Sequence, residues 1–299
     1  MGKRLRHHWN LLTVFGARYP LWLLRRTLVG RRCHRRDLSK FSGRGLEIGG
    51  PSPFFQAAGE FPIYRVAGSI DNVNYSSQTF WEGALKEGEY FKYDANKMPG
   101  HQFLCEASEL SPIASDTYDF IASCHTLEHC ANPIKAMQEW RRVLKPDGWL
   151  VLILPHKAGT FDHRRKVTEF EHLLEDHRRA VTEDDETHFA EILEKHDLKR
   201  DEPHNSREDF EKWIKNNAAT RGVHHHVFDP ELAVRLVDHA GFEVTAAEVV
   251  MPYHIFIVGR KCSATCARNE KASLQILQSC RERSPFKADR DKGRRRHTR

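Results

Sequence analysis

Apolar and polar positions along this chain alternate between two periods. Five short apolar runs predict strands: Gly45–Gly50 (GLEIGG), Ile63–Asp71 (IYRVAGSID), Gln102–Glu106 (QFLCE), Tyr118–Ser123 (YDFIAS) and Gly148–Pro155 (GWLVLILP). The fifth is apolar throughout, as a strand buried on both faces of a parallel sheet must be. Between the fourth and fifth, Ile134, Met137, Trp140, Val143 and Leu144 recur at helical spacing. Asn132 is a good N-cap for that helix, Pro133 suits its first position, and Gly148 follows its last turn. Strand, helix, strand in this rhythm predicts a doubly wound, mostly parallel α/β sheet. From about 157 to 222 the pattern changes. FEHLLEDHRRAV, THFAEILEKHDL and DFEKWIKNN read as charged amphipathic helices, a helical insertion that covers the sheet. Asp229 and Pro230 then open a further helix, and Glu243–Val250 with Tyr253–Gly259 predict a closing strand pair.

The 299 residues have room for one large domain with such an elaboration. The net charge of +6 hides an asymmetry. Residues 1–40 carry +10 and residues 260–299 carry +9, so the body between them carries −13. We therefore divide the chain into a basic, amphipathic N-terminal arm (1–40), a main domain (41–261) and a basic tail (262–299), which its low apolar content predicts to be disordered. Such ends suit peripheral contact with an anionic membrane surface better than nucleic acid. The segment WNLLTVFGARYPLWLLRRTLVG is interrupted by Arg18 and Pro20 and followed by Arg25 and Arg26, so it does not read as a membrane span. Seven cysteines without disulfide-like spacing predict reduced thiols and a cytoplasmic setting; Cys262 and Cys266 lack a second pair to make a metal site.

The strand-to-glycine turn Leu46-Glu47-Ile48-Gly49-Gly50-Pro51 is where a doubly wound sheet lets its backbone approach a nucleotide-type ligand. The dinucleotide pattern G-x-G-x-x-G is missing, which disfavours an NAD-linked enzyme. Three acids accompany the first three strands, Glu47, Asp71 and Glu106, an order suited to a ligand with an ammonium, a ribose diol and an adenine amine. The stretches GLEIGGPSPFF, SIDNVNYSSQTFW, CEASEL and YDFIASCHTLEHCANPIKAMQEWRRVLKPDGWLVLILP together resemble the class I S-adenosylmethionine-dependent methyltransferases of small-molecule type. The resemblance covers roughly 43–157, and more weakly 223–261. It implies a Rossmann-like, seven-stranded sheet with a reversed last strand and S-adenosylmethionine as cofactor. It also implies that Glu47, Gly49 and Gly50 surround the amino-acid end of the cofactor, Asp71 with Asn72 its ribose, Glu106-Ala107 its adenine, and that His125 faces it. The GGP turn departs from the G-x-G of many relatives. A catalytically degenerate binding module is the rival reading, and retention of the three acids speaks against it.

His125-Thr126-Leu127-Glu128-His129 also spells H-x-x-E-H, a zinc-peptidase string. That chemistry needs both histidines on one helix face. Here the string follows a predicted strand and ends before Pro133, so it is a loop at the carboxyl edge of the sheet. Some class I O-methyltransferases bind a divalent ion through E-x-x-E-H at this loop. Glu128 and His129 match it, His125 replaces the first Glu, and His156 or His224-His225-His226 could complete a site. The favoured expectation is hydrogen-bonded loop residues without a metal. The expected reaction is methyl transfer, with a hydroxyl of a small molecule or glycan as acceptor, and His129, His156 and His163 are the candidate general bases.

Overall fold

The computed structural model describes residues 11–13, 16–29, 37–79, 81–201, 206–262 and 270–295. Its centre is an eight-stranded sheet, in the order β5-β6-β2-β1-β7-β8-β10-β9. The strands are β1 (Arg44–Ile48), β2 (Ser69–Asn74), β5 (Gly88–Phe91), β6 (Gly100–Leu104), β7 (Tyr118–Cys124), β8 (Leu144–Pro155), β9 (Phe242–Val250) and β10 (His254–Lys261). β3 (Gln78–Thr79) and β4 (Gly83–Ala84) form a separate hairpin. Strands β6, β2, β1, β7 and β8 run parallel, whereas β10 is antiparallel to β8 and β9. The doubly wound class and the reversed strand at the end are as expected. The eighth strand is β5, which lies antiparallel on the far edge. Strand order reverses at the β1/β7 pair, and ligands of such sheets bind beyond the carboxyl ends of the strands there.

Helix Pro133–Val143 links β7 to β8. Its N-cap is as read, with the Asn132 side chain accepting from Lys135 N at 2.9 Å. Its apolar stripe buries Ile134, Met137, Trp140 and Val143 completely, and the Trp140 indole donates to Ala107 O at 2.9 Å. Trp140 therefore fixes the turn after β6 and with it the backbone around Glu106. Gly148 lies within β8 rather than after the helix, because strand pairing resumes at once from Leu144.

The second strand is displaced from its predicted position. Ile63–Arg65 forms a short 3-10 turn, and the strand runs from Ser69 to Asn74. Ile63 and Tyr64 are apolar because they fill the core beneath the sheet, not because they belong to it. The insertion is helical as expected: Phe170–Arg178, Phe189–Lys195, Arg207–Lys215 and Asn217–Thr220.

The tail is a correction. Helices Glu270–Arg283 and Lys287–Arg295 follow the last strand. Leu277 and Cys280 enter the main core, and the Phe286 ring stacks on His156 with centroids 4.1 Å apart. Asp289 accepts from His156 at 3.0 Å, and Lys292 pairs with Asp229 at 2.7 Å. A few apolar anchors and buried ion pairs hold a segment whose composition looked unfoldable. At the other end, helix Arg18–Val29 buries Tyr19 against Phe286 while Leu21 and Leu24 remain exposed. The rest of the N-terminal arm, 1–10 and 30–36, lies outside the described residues, as does Cys266. Among the described residues no helix is long and apolar enough to cross a membrane.

Candidate active site

The turn after β1 is built around a buried carboxylate. Glu47 is fully buried, and Ser52 N and Tyr64 Oη donate to its two oxygens at 3.0 and 2.5 Å. Burial raises its pKa to about 7 against those hydrogen bonds. A Cβ on Gly50 would stand 2.3 Å from the Glu47 carboxyl carbon, so Gly50 is needed to let the turn close over it. Gly49 has φ +81°, donates to Val73 O at 2.8 Å, and passes so near Thr126 that a Cβ would stand 2.4 Å from its Oγ1. Gly49 reaches the cavity wall described below. Glu47 and Gly50, expected at the cofactor, instead shape the turn behind it.

The displacement of β2 moves the ribose assignment. Asp71 lies inside the strand, 4% exposed, and accepts from Arg44 Nη2 at 2.7 Å, His101 N at 2.8 Å and Tyr118 Oη at 2.8 Å. It is a hub linking β1, β6 and β7, away from the ligand edge. Asn72 is also buried, bridging Gly50 and Gln102. The residue at the carboxyl end is Asn74. Its Nδ2 donates to Gly50 O at 3.2 Å, while its buried Oδ1 has no hydrogen-bond partner.

A cavity of about 360 Å³ opens at this edge. Its wall includes Gly49 and Ser52 from the first turn, Asn74 and Tyr75 from the second, and Glu106 and Ala107 from the third. His125, Thr126 and His129 add the loop after β7, and Trp81 the β3–β4 hairpin. The insertion closes it. Arg221 Nη2 donates to Glu106 Oε1 at 2.7 Å, Tyr75 Oη donates to Ala219 O at 2.7 Å, and Glu183 accepts from Ala131 N at 3.1 Å. Burial raises the Glu183 carboxyl to about 7. Of the residues named from the sequence, Glu106, Ala107, Gly49, His125 and His129 line this one cavity. Asn74, Tyr75, Trp81, Glu183 and Arg221 were missed: the first three for want of the strand's true end, the last two because insertion residues give no periodic signal for what they face.

The histidine loop is not a peptidase helix. Leu127–His129 is one 3-10 turn, and His125 has φ +55°. Glu128 is fully buried, and neither oxygen has a well-aligned hydrogen bond. His125 Nδ1, His129 Nε2 and His224 Nε2 lie 3.4, 3.9 and 4.0 Å from its Oε1. Burial would raise the Glu128 pKa, but these imidazoles hold it below its ordinary value. His224 is itself tied through Nδ1 to Asp162 Oδ2 at 2.6 Å, and Asp162 to Arg165 at 3.0 Å. Burial disfavours charge on His224, yet Asp162 and Glu128 raise its pKa above the usual value. His224 thus lies between the Asp162 and Glu128 carboxylates. The ligand atoms of Glu128, His129 and His224 come within 4.8 Å of one another, a spacing that would also admit a divalent ion.

His129 Nδ1 donates to Val223 O at 3.1 Å, which leaves Nε2 as its basic nitrogen. Burial, and then His224, lower its pKa to about 4, so its imidazole is neutral at physiological pH. The other two candidate bases are corrections. His156 is 2% exposed, with Nδ1 accepting from Ala158 N at 3.1 Å and Nε2 held by Asp289. His163 pairs with Asp197 at 3.0 Å. Neither belongs to the cavity wall: His156 is held under the C-terminal helices by Asp289 and Phe286, and His163 packs toward Asp197 in the insertion.

Residues 77–152, from the β3–β4 hairpin through β8, match the family model of a methyltransferase domain. No curated protein matches the sequence. Among solved structures, the chain is similar to a SAM-dependent methyltransferase from Aquifex aeolicus. That likeness has 15% identity, 83% of this chain and 91% of that one covered, and a TM-score of 0.40. It is also similar to a possible histamine N-methyltransferase from Thermotoga maritima, with 17% identity, 85% and 100% covered, and a TM-score of 0.36. A putative methyltransferase from Listeria monocytogenes gives 13% identity, 75% and 93% covered, and a TM-score of 0.42. The sheet, its ligand edge and the matched domain define an enzyme that takes a methyl group from S-adenosylmethionine. The chain thus carries a methyltransferase domain over residues 77–152. Its cavity suits that donor: a buried, unpartnered acceptor on Asn74 stands beside a glycine turn that no side chain could occupy.

Proposed function

We propose that this enzyme methylates a hydroxyl of a small molecule or glycan, and that His129 removes the hydroxyl proton. The position of His129 carries this reading. It is the one candidate base on the cavity wall, with its tautomer fixed by Val223 O and the Glu128 carboxylate 3.9 Å from Nε2. When the proton arrives, Glu128 stabilises the imidazolium. An uncharged amine acceptor would need no such base before transfer. S-adenosylmethionine supplies an electrophilic methyl on a sulfonium, so the protein has chiefly to align the acceptor and exclude water. Asn74 Oδ1 would accept from a ribose hydroxyl, Glu106 and Ala107 would flank the adenine, and Gly49 would admit the amino-acid end. The test is His129→Gln assayed for S-adenosylhomocysteine release with a panel of hydroxylated and amine acceptors. We expect kcat on the hydroxyl acceptor to fall by ~10²–10⁴-fold with affinity for S-adenosylhomocysteine retained. Full turnover in His129→Gln would overturn the assignment of the base.

A further inference from the structure

A second group of histidines lies in the helical insertion, outside the cavity wall. His172 and Asp176 stand one turn apart on helix Phe170–Arg178, His188 precedes helix Phe189–Lys195, and His226 comes from the segment leading to Asp229. One nitrogen or oxygen from each of the four lies within 4.8 Å of all the others. We propose that His172, Asp176, His188 and His226 form a four-coordinate site for a divalent transition metal of the zinc type.

The spacing is that of a tetrahedron. With metal–ligand bonds of about 2.0 Å, ligand atoms at its corners stand about 3.3 Å apart. His172 Nε2 lies 3.2 Å from His188 Nε2 and 3.3 Å from Asp176 Oδ2. His226 Nε2 lies 3.8 Å from Asp176 Oδ2 and 3.2 Å from the Ala131 carbonyl, while its Nδ1 is buried without a hydrogen-bond partner. Asp176 is 5% exposed and its Oδ2 makes no aligned hydrogen bond, so a carboxylate is buried with a charge that only the surrounding imidazoles or an ion can meet.

The neighbouring groups are weaker. Asp185, His188 and His225 offer three ligands and share His188, with His225 Nδ1 4.0 Å from Asp185. Glu128, His129 and His224 also offer only three ligands. Three imidazoles and one carboxylate select zinc over magnesium or calcium, and four protein ligands leave no open position, so the role is structural. The metal would tie the helix at 170–178, the start of the next helix and the strand-like segment 223–228 together. The loop between the first two carries Glu183, which holds Ala131 N at the cavity wall.

The experiment takes the full chain, stripped with a chelator, and titrates it with zinc in a calorimeter and with cobalt(II) in a spectrophotometer. We expect one zinc per chain and the intense visible bands of four-coordinate cobalt. His172→Gln and Asp176→Asn should each weaken zinc by about a hundredfold or more, whereas His225→Gln and His224→Gln, in the adjoining groups, should retain it. Absence of stoichiometric zinc in the wild-type chain, or unaltered zinc affinity in both His172→Gln and Asp176→Asn, would overturn the proposal. If circular dichroism shows that either variant does not fold, the wild-type cobalt spectrum decides: weak, octahedral-type bands would reject the site.

Discussion

At the scale of single residues, environment rather than identity sets what each group does. His129 is the clearest case. An ordinary histidine would place the rise of activity near pH ~6.5, the base being active only when deprotonated. Burial lowers this one to about 4, so turnover should rise as pH increases through about 4 and be level above about 6. A kcat profile that still climbs through pH 6.5 would contradict this. On β2, the position of each side chain likewise separates Asn74 at the cavity wall from Asp71 inside the strand. Asn74→Ala removes the unpartnered acceptor on the cavity wall and should weaken S-adenosylhomocysteine binding by about tenfold, the worth of one hydrogen bond to a ligand hydroxyl. Asp71→Ala should leave that affinity unchanged and instead cost ~1–3 kcal/mol of stability in urea, because Tyr118 Oη and His101 N lose a buried acceptor.

At the scale of elements, the insertion acts as the cover of the cavity, and its hold depends on ionisation. Glu183, on the loop after helix Phe170–Arg178, is pushed up to about 7 by burial and by the charge of Glu106. Its folded pKa exceeds the unfolded value of about 4.3, so the folded state keeps a proton that the unfolded chain releases. The contribution to stability is full below pH ~4.3 and is lost as pH rises through about 7. Glu183→Gln mimics the protonated form and still offers an oxygen to Ala131 N. Its melting temperature should gain on the wild type between pH 5 and 7.5, and a constant difference across that range would remove Glu183 as the cause. The element with the strongest punctuation, helix Pro133–Val143, was legible because Asn132 and Pro133 act within one turn. The second strand was not legible in its limits. Its apolar lead-in at Ile63 and Tyr64 is buried by a 3-10 turn, and burial alone does not distinguish a strand from a packed loop.

At the scale of the whole molecule, the C-terminal segment belongs to the folded body. Deleting residues 270–299 removes Leu277, Cys280 and Phe286 from apolar contacts and strips Asp289 from His156 and Lys292 from Asp229. We expect a loss of roughly 3–5 kcal/mol in urea unfolding, on the scale of two buried side chains. A truncated chain as stable as the full one would show that these helices only rest on the surface. Composition predicted the reverse, since 13 basic residues after 259 outweigh so few apolar ones.

The sequence by itself determined the strand–helix–strand unit from β7 to β8, the helical character of the insertion, the doubly wound class, the ligand edge at GLEIGG and the loop character of H-x-x-E-H. These follow from local rules: side-chain period, caps, and glycine where the backbone must turn. Only the tertiary structure decided which acid or amide faces the ligand, since side chains in a strand alternate between faces and the true end of β2 at Asn74 is fixed by pairing with Leu104 of β6. It also decided which of the many histidines meet. His129 joins His224 across 95 residues, His172 joins His226 across 54, and His156 is drawn away to Asp289. No local pattern encodes such pairings, because they arise where separate elements pack together and desolvate the same few atoms.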